Sequence, residues 1–336
     1  MSAFGRPNWR TGHGEAVWRA ARLRGSAFRR QPTLTFVSGG GGRAAVSGMA
    51  ARKHDGAMDA QDIRPCPLGH AERELERLAT QARDLAAHTT ILFRRAGLAP
   101  GHRVLDIGCG PGDVSFIAAE IVGSTGYVVG IDRSPSAVEA ARVRAQRAGH
   151  DNVAFHVGDA SDLGLAGQFD AIVGRLVLTY LPDPVLALRR LQNLLRSRGM
   201  VIFQEGDPRT IGSEPECPLV SQIREWMVGA LERTGCATNM GSCLGTLLDQ
   251  AGFRVEGSWV SQPSYVGTTL SRLDWFADLT RTLMPALERA GLASLNAIQL
   301  DTLAARLVAE ASARHAIVYA PRLVGVWARV SGGFTP

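Results

Sequence analysis

Short apolar runs alternate with amphipathic stretches between residues 100 and 205, and this alternation constrains the fold of the 336-residue chain more than any other feature. Each apolar run is long enough for one buried strand, and each intervening stretch is long enough for a helix. The pattern therefore predicts parallel strands joined by right-handed helical crossovers. The strands expected here are Val104–Ile107, Tyr127–Ile131, Val153–Val157, Phe169–Val173 and Met200–Gln204.

Further elements extend this alternation in both directions. Helices are expected near 113–122, 135–148, 184–197 and 241–251, and two more strands at Phe253–Val260 and Leu323–Val330. The fold class predicted is α/β: a doubly wound, mostly parallel sheet of seven strands. Residues 59–336 would form this domain, with its core at 100–205. Residues 68–97 are expected to form a helical lid, and segments 208–236 and 268–320 a helical cap.

The first 58 residues differ from the rest of the chain. They contain nine arginines and Lys53 against Glu15 and Asp55, and four consecutive glycines at 39–42. Such a composition favours a disordered basic extension, or translation that starts at Met49 or Met58. A transit-like arm and a basic interaction tail remain alternatives. The remaining residues hold 27 basic and 29 acidic side chains, so the net charge of +6 belongs to the extension. The domain itself is not expected to bind nucleic acid.

Cysteine and histidine usage narrows the class of protein further. The chain has five cysteines, an odd number without a CxxC pair, which predicts a reducing, cytoplasmic location. Its eight histidines have no partner at metal-ligand spacing, so no metal is expected. No apolar run is long enough to predict a membrane-spanning helix.

A glycine loop follows the first predicted strand. Gly108, Gly110 and Gly112 come directly after Asp106-Ile107 and lead into a helix. Glycines allow a tight turn and a close approach of ligand to backbone, and the helix N-terminus offers free N–H groups. A dinucleotide site would place the third glycine at position 113, where this chain has Asp113. The acid before the turn, Asp106, instead suits a ligand with a cationic amino group.

The segment Val104–Gly112 resembles motif I of the class I S-adenosylmethionine-dependent methyltransferases, and several later features match that family in order. The resemblance implies a Rossmann-like methyltransferase fold, in which the last of the seven strands is antiparallel. It also implies that residues 100–205 form a cofactor-binding core for S-adenosyl-L-methionine. It also implies that Asp132 binds the ribose hydroxyls, that Asp159 meets the adenine amino group, and that the backbone of Ala160 meets the ring. The expected cofactor-binding residues are Asp106, Gly108, Cys109, Gly110, Gly112, Asp132, Arg133, Asp159, Ala160 and Arg175.

Within that family the chain looks most like small-molecule methyltransferases of the ubiquinone/menaquinone-biosynthesis type. This implies a small acceptor that is methylated on oxygen, carbon or nitrogen, with no nucleic acid as partner. The sequence does not specify the acceptor or the oligomeric state. The alternatives to a methyltransferase are a non-catalytic protein that binds the cofactor and a nicotinamide dehydrogenase. Asp113 disfavours the dehydrogenase.

The candidate catalytic residues are Arg175, Glu205 and His70. Arg175 follows the fourth strand and could orient an anionic acceptor, bind the methionyl carboxylate, or form a surface ion pair. Glu205 follows the fifth strand and could act as a base, as a hydrogen-bond anchor or as a cap for the next segment. His70, like His88, could be a base in the lid or a structural residue. The apolar stretch Trp275, Phe276, Leu279 and Leu283 is interpreted as cap core, with a pocket for an apolar acceptor as the alternative.

Overall fold

The computed structural model describes residues 72–159, 169–292, 294 and 298–330, with side chains described from residue 81 onward. The basic extension, His70 and Ala160 lie outside these residues. In chain order the elements are α1 (Glu72–Ala96), β1 (Arg103–Ile107), α2 (Asp113–Val122), β2 (Tyr127–Asp132), α3 (Pro135–Ala148), β3 (Val153–Val157), β4 (Phe169–Arg175), α4 (Pro184–Gln192), β5 (Leu195–Asp207), β6 (Gly212–Glu214), α5 (Pro218–Arg233), α6 (Met240–Gln250), β7 (Phe253–Ser261), β8 (Ser264–Tyr265), α7 (Asp274–Arg289), α8 (Leu300–Ala313), β9 (Ile317–Tyr319) and β10 (Arg322–Val330).

Seven strands form the central sheet in the order β3-β2-β1-β4-β5-β10-β7. Strands β1 to β5 are parallel, and β10 pairs antiparallel with both β5 and β7. Helices α1 to α4 and α6 connect or cover these strands, as the alternation of apolar runs requires. The predicted fold class is therefore confirmed, including the antiparallel last strand.

The boundary between α4 and β5 differs from the sequence prediction. A helix was expected to run to residue 197, but α4 ends at Gln192 and the strand begins at Leu195. The reason is the sheet: the amide of Phe169 donates to the carbonyl of Leu194 (2.7 Å), and Leu195 lies opposite Phe169 in the register. These pairings require extended backbone where apolar spacing alone suggested another helical turn.

The cap consists of α5, α7, α8 and a second sheet of three strands in the order β6-β9-β8. Its buried side chains form a cluster of their own, separate from the clusters on the two faces of the central sheet. The predicted cap segment 268–320 contains most of a 3₁₀ segment (Gly267–Leu273), followed by α7, α8 and β9. The small sheet was not predicted, because strands of two or three residues are too short to show a period in the sequence.

Helix α1 packs its C-terminal half against the antiparallel edge of the central sheet. Leu92 is fully buried beside Gly325 of β10, where a Cβ atom would lie 2.5 Å from the leucine side chain. The guanidinium of Arg95 stacks over the ring of Trp259 of β7 at 4.1 Å. These contacts hold α1 across the sheet, so that its preceding turns reach the carboxyl ends of the parallel strands. None of the helices in the described part of the chain is long and apolar enough to cross a membrane.

Candidate functional site

A cavity of about 300 Å³ lies at the carboxyl ends of β1, β2 and β4. Open α/β sheets bind ligands at this edge, where the loops of neighbouring strands diverge. The cavity has two halves. One half is bounded by the glycine loop and the ends of β2 and β3, and the other by apolar side chains of the cap. Four residues of α1 line it as well: Gln81, Ala82, Asp84 and Leu85.

The glycine loop leaves open space at its centre. Gly110 has φ 53°, and a Cβ atom built there would meet no atom within 4 Å. The loop's last glycine, Gly112, has φ 93°, and a Cβ atom there would lie 2.9 Å from the ring of Phe155. Gly112 is therefore required for packing, while Gly110 keeps the backbone accessible to a ligand in the cavity.

Asp132 ties the end of β2 to this loop. Its Oδ2 accepts a hydrogen bond from the amide of Gly110 (2.9 Å), and its Oδ1 accepts one from the amide of Ser134 (2.8 Å). The side chain is half-buried and lines the cavity. Each carboxylate oxygen can accept a second hydrogen bond. Asp132 thus presents a fixed pair of acceptors that suits two neighbouring hydroxyl groups.

Asp106 lies behind the loop instead of beside the ligand space. It is fully buried, and its Oδ2 accepts a hydrogen bond from the hydroxyl of Ser115 (2.6 Å). Burial raises the pKa of this carboxyl to about 7, against the opposing effects of Ser115 and Arg175. Asp106 is not part of the cavity wall. The direct contact with a cationic amino group that the sequence suggested is therefore not provided by this geometry.

Asp113 begins α2 and lines the cavity. Its Oδ1 accepts a hydrogen bond from Nη2 of Arg144 (2.6 Å), which also donates from Nη1 to the carbonyl of Pro111. A carboxylate is thus fixed at the helix N-terminus, where a dinucleotide would place its pyrophosphate. This position argues against a nicotinamide dinucleotide as the ligand.

The remaining cofactor candidates lie around the end of β3 and within the loop. Arg133 lines the cavity and forms an ion pair with Asp159 at 3.9 Å. Gly158 lines the cavity, whereas Asp159 is not part of its wall. Cys109 is buried in the loop, and burial raises the pKa of its thiol, so it stays protonated at neutral pH.

Arg175 ends β4 and lines the cavity between its two halves. Its Nη1 donates a hydrogen bond to Oγ1 of Thr89 (3.0 Å) on α1. Burial lowers the pKa of this guanidinium, and the negative charges of Asp113 and Asp106 oppose that shift. Among the residues that the structure describes, no carboxylate forms an ion pair with Arg175. The surface ion pair that the sequence left open is therefore not the arrangement here.

Glu205 borders the cavity yet has no exposed surface. Its Oε1 accepts hydrogen bonds from the amides of Val177 (2.9 Å) and Leu178 (2.8 Å) in the turn after β4. Burial raises its pKa to about 7, although these backbone bonds oppose the shift. A side chain this enclosed cannot meet an acceptor in the cavity unless the turn moves. The geometry thus supports the hydrogen-bond anchor among the roles predicted for Glu205, and not the base.

The aromatic and aliphatic side chains of α7 contribute both to the core of the cap and to the wall of the cavity. Trp275, Leu279 and Leu283 belong to the cap core and also line the cavity, whereas Phe276 is fully buried within the core. We call the cap-side half of the cavity the apolar chamber, which is lined by Met227, Leu231, Pro263, Tyr265, Trp275, Leu279, Leu283, Ala320 and Pro321.

The contributions of α1 to the site were not identified individually from the sequence. Asp84 lines the cavity and forms an ion pair with Arg272 in the 3₁₀ segment before α7, which ties α1 to the cap. Thr89 contacts Arg175 from the same helix. His88 is not part of the cavity wall, and burial lowers its pKa. A helical period predicts which face of α1 is buried, but not which polar residue on that face meets β4.

The parallel sheet, the glycine loop and the carboxylate at the end of β2 form the arrangement with which open α/β sheets bind nucleotide cofactors, and the apolar chamber adds a second compartment. The family comparison is more specific. A family model described as "Methyltransferase domain" matches residues 98–252. Residues 98–252 are therefore similar to a methyltransferase domain, and the predicted resemblance to class I S-adenosylmethionine-dependent methyltransferases is confirmed over this segment.

Two relatives illustrate the extent of the similarity. The aklanonic acid methyltransferase of Streptomyces sp. strain C5 is 45% identical over 104 residues, which are 31% of this chain and 47% of that protein. The 2-phytyl-1,4-naphtoquinone methyltransferase of Synechococcus elongatus is 35% identical over 147 residues, which are 41% of this chain and 60% of that protein. The matches thus span about half of the relatives' own length.

Solved structures also resemble the chain. A putative methyltransferase from Bacillus halodurans covers 72% of this chain at a TM-score of 0.49 and 17% identity, with 98% of its own length matched. A methyltransferase from Aquifex aeolicus, described as SAM-dependent, covers 76% at a TM-score of 0.45 and 17% identity, with 98% of its own length matched.

Proposed function

We propose that the protein transfers a methyl group from S-adenosyl-L-methionine to a small, predominantly apolar acceptor. One observation carries this proposal: a single cavity joins the glycine loop and Asp132 to the apolar chamber. Methyl transfer requires donor and acceptor to meet in one enclosed space, aligned with the sulfur. The similarity of residues 98–252 to a methyltransferase domain supports the same reaction class.

The residues on the loop side fit the cofactor. The open space at Gly110 admits a ligand close to the backbone, and the fixed oxygens of Asp132 suit the two ribose hydroxyls. Arg133 and Asp159, at the ends of β2 and β3, would border the adenine ring together with Ala160. When bound, S-adenosyl-L-methionine supplies a methyl group that its positively charged sulfur already activates.

The apolar chamber supports an acceptor with a large hydrophobic surface. Its wall combines aromatic and aliphatic side chains from α5, α7 and the small sheet, which exclude water from the reacting atoms. The two relatives described above carry aklanonic acid and 2-phytyl-1,4-naphtoquinone in their names, and both names support a small-molecule acceptor. The methylated atom is oxygen, carbon or nitrogen.

In this reaction the residues of the chain mainly position the donor and the acceptor and shield them from water. Glu205 anchors the turn that separates the two halves of the cavity, and the turns of α1 around Asp84 cover the cavity from one side. Residues 68–97 would act as the lid and residues 208–236 and 268–320 as the cap. We further propose a cytoplasmic location, which the unpaired state of the four described cysteines supports, and no nucleic-acid partner.

Calorimetry with S-adenosylhomocysteine and with NAD tests the cofactor assignment. We expect binding of the former and none of the latter. Incubation with a methyl-labelled donor and cell extract then tests the transfer, with heat-inactivated protein as control. Label in a small molecule supports the enzyme. Binding of S-adenosylhomocysteine without any transfer of label would instead support the non-catalytic cofactor-binding protein.

A further inference from the structure

The apolar chamber contains two side chains that can form hydrogen bonds. They are Tyr265 of β8 and Trp275 near the start of α7, and both line the cavity. The other residues of the chamber wall have side chains without nitrogen or oxygen atoms. Tyr265 is 5% exposed and Trp275 is 8% exposed, so both are packed into the wall. A ligand in the chamber therefore meets polar side chains of this wall at these two positions alone.

The cap holds the two aromatic rings in place. Tyr265 lies opposite Val318 in the antiparallel pairing of β8 and β9, and the ring of Trp275 stacks on that of Phe276 with 3.9 Å between the ring centroids. All four residues belong to the buried cluster of the cap. Close packing restricts the rotamers of both rings, so their polar groups are positioned before a ligand arrives.

The hydroxyl of Tyr265 is available as a donor. Burial raises its pKa and the charge of Asp274 adds to that shift, although the indole N–H of Trp275, which faces the hydroxyl, opposes it. The hydroxyl is therefore protonated at neutral pH. The indole nitrogen is a donor only, so the hydroxyl proton is directed to another acceptor. The indole N–H itself makes no hydrogen bond of good geometry with the residues that the structure describes.

The chemistry of the wall selects the ligand atom that fits it. The wall holds donor groups and no carboxylate or imidazole, which favours a ligand oxygen with free lone pairs. Because the nearby charge of Asp274 disfavours an anionic oxygen, a neutral carbonyl fits better than an ionised hydroxyl. A pure hydrocarbon would leave the buried donors unpaired, which is costly in apolar surroundings.

We propose that the methyl acceptor is a ring compound with a carbonyl group, and that Tyr265 donates a hydrogen bond to the carbonyl oxygen in the apolar chamber. The inference rests on the proposed function and narrows its class of acceptor. The chamber shares one cavity with the glycine loop and Asp132, so a ligand bound at Tyr265 faces the space that the cofactor would occupy. Tyr265 thereby orients the acceptor relative to the methyl group.

Two probe compounds with the same ring skeleton test this role. 1-Tetralone carries a carbonyl group where tetralin has a methylene group. Both are titrated into protein saturated with S-adenosylhomocysteine, and ligand-observed NMR measures their affinities. For Tyr265→Phe we expect about threefold to tenfold weaker binding of 1-tetralone, as for one lost hydrogen bond, and no weakening for tetralin. Equal losses for both compounds, or no loss for 1-tetralone, would overturn the assignment.

Tyr319 provides the matched control. It lies on β9 in the same small sheet but is not part of the cavity wall, so Tyr319→Phe should change the affinity of neither compound. A second measurement uses the wild-type protein and does not depend on the folding of Tyr265→Phe. The infrared stretching frequency of the carbonyl in bound 1-tetralone should lie below its value in an alkane solvent, as for a hydrogen-bonded carbonyl. An unshifted band in the complex would exclude the contact.

The order of the measurements separates this inference from the proposed function. If the wild-type protein does not bind S-adenosylhomocysteine, the proposed function fails and the inference fails with it. If the protein transfers label from the methyl donor to a small molecule that lacks a carbonyl group, the proposed function stands and the inference is wrong. The same holds if label is transferred but the S-adenosylhomocysteine complex does not bind 1-tetralone.

Discussion

The two halves of the cavity are built by different means. On the loop side, the backbone of the glycine loop and hydrogen bonds to backbone amides define the surface, as between Asp132 and the amides of Gly110 and Ser134. On the cap side, the apolar chamber is assembled from α5, α7, β8 and the segment before β10, whose residues are up to about a hundred positions apart. A backbone-built surface tolerates few substitutions, whereas a packed side-chain surface can change shape residue by residue. The loop side is therefore suited to a constant ligand, and the chamber to a variable one.

The sharpest test of this difference is Gly110→Val. A side chain at φ 53° would be strained and would fill the open space above the loop, so we expect calorimetry to detect no binding of S-adenosylhomocysteine. Gly149→Val is the control, because Gly149 has φ 70° and equally open surroundings but lies at the end of α3, outside the cavity wall. Retained binding in a folded Gly110→Val protein would show that the ligand does not pass over the loop.

The turn between the two halves should make stability depend on pH. The pKa of Glu205 is raised from 4.5 to about 7, so the folded protein retains a proton that the unfolded chain has lost. This group's contribution to stability therefore falls as pH rises from about 4.5 to 7, by up to about 3 kcal/mol, and is constant above that range.

Chemical denaturation at several pH values measures this effect. Glu205→Gln should flatten the decrease between pH 4.5 and 7 relative to the wild-type protein. Asp106, with its pKa also raised to about 7, should contribute a decrease of the same sign that remains in the variant. A variant with the same pH dependence as the wild type would show that Glu205 is ionised in the fold.

Removing the ribose acceptors should have an intermediate effect. Asp132→Ala should weaken the binding of S-adenosylhomocysteine by about 1.5–3 kcal/mol, because charge-assisted hydrogen bonds to the ligand are lost. Asp183→Ala provides the comparison, since Asp183 caps α4 through the amide of Leu186 and does not line the cavity. Calorimetry on both folded variants measures their affinities for S-adenosylhomocysteine. Equal affinities would exclude Asp132 from ligand binding.

Substitutions in the apolar chamber should change cofactor binding least. Leu279→Ala should leave S-adenosylhomocysteine affinity unchanged while it raises the KM for the acceptor identified by the labelled-extract assay. Leu303→Ala is matched to it, because Leu303 belongs to the same cap core but not to the cavity wall. Both should lower stability by about 2–5 kcal/mol, as for a leucine deleted from a core. If the chamber binds the acceptor, the KM of Leu279→Ala should exceed that of Leu303→Ala. Equal KM values would mean that Leu279 has only a structural role.

The same contrast explains what could be predicted from the sequence. The strands and the position of Asp132 at the end of β2 follow from local patterns, because apolar period and glycine spacing depend on neighbouring residues. The antiparallel direction of the last strand was implied by the family resemblance instead. The chamber could not be located in this way. Its residues look like ordinary core positions in the sequence, and only the packing of α5 on α7 exposes one side of Trp275 and Leu279 to the cavity. The anchoring by Glu205 likewise depends on the turn after β4, which lies 28 residues earlier.

The pairing of β10 has a consequence for the order in which the chain folds. This strand is the last element of the described chain, yet it lies inside the sheet, between β5 and β7. Until it emerges from the ribosome, β5 is an open edge and β7 has no neighbour in the central sheet. Leu92 of α1, which packs against Gly325, lacks this part of its surroundings before that moment. The earliest described helix and the latest strand therefore complete this part of the core together, and loss of the final strand would remove one partner of α1 and the central-sheet neighbour of β7.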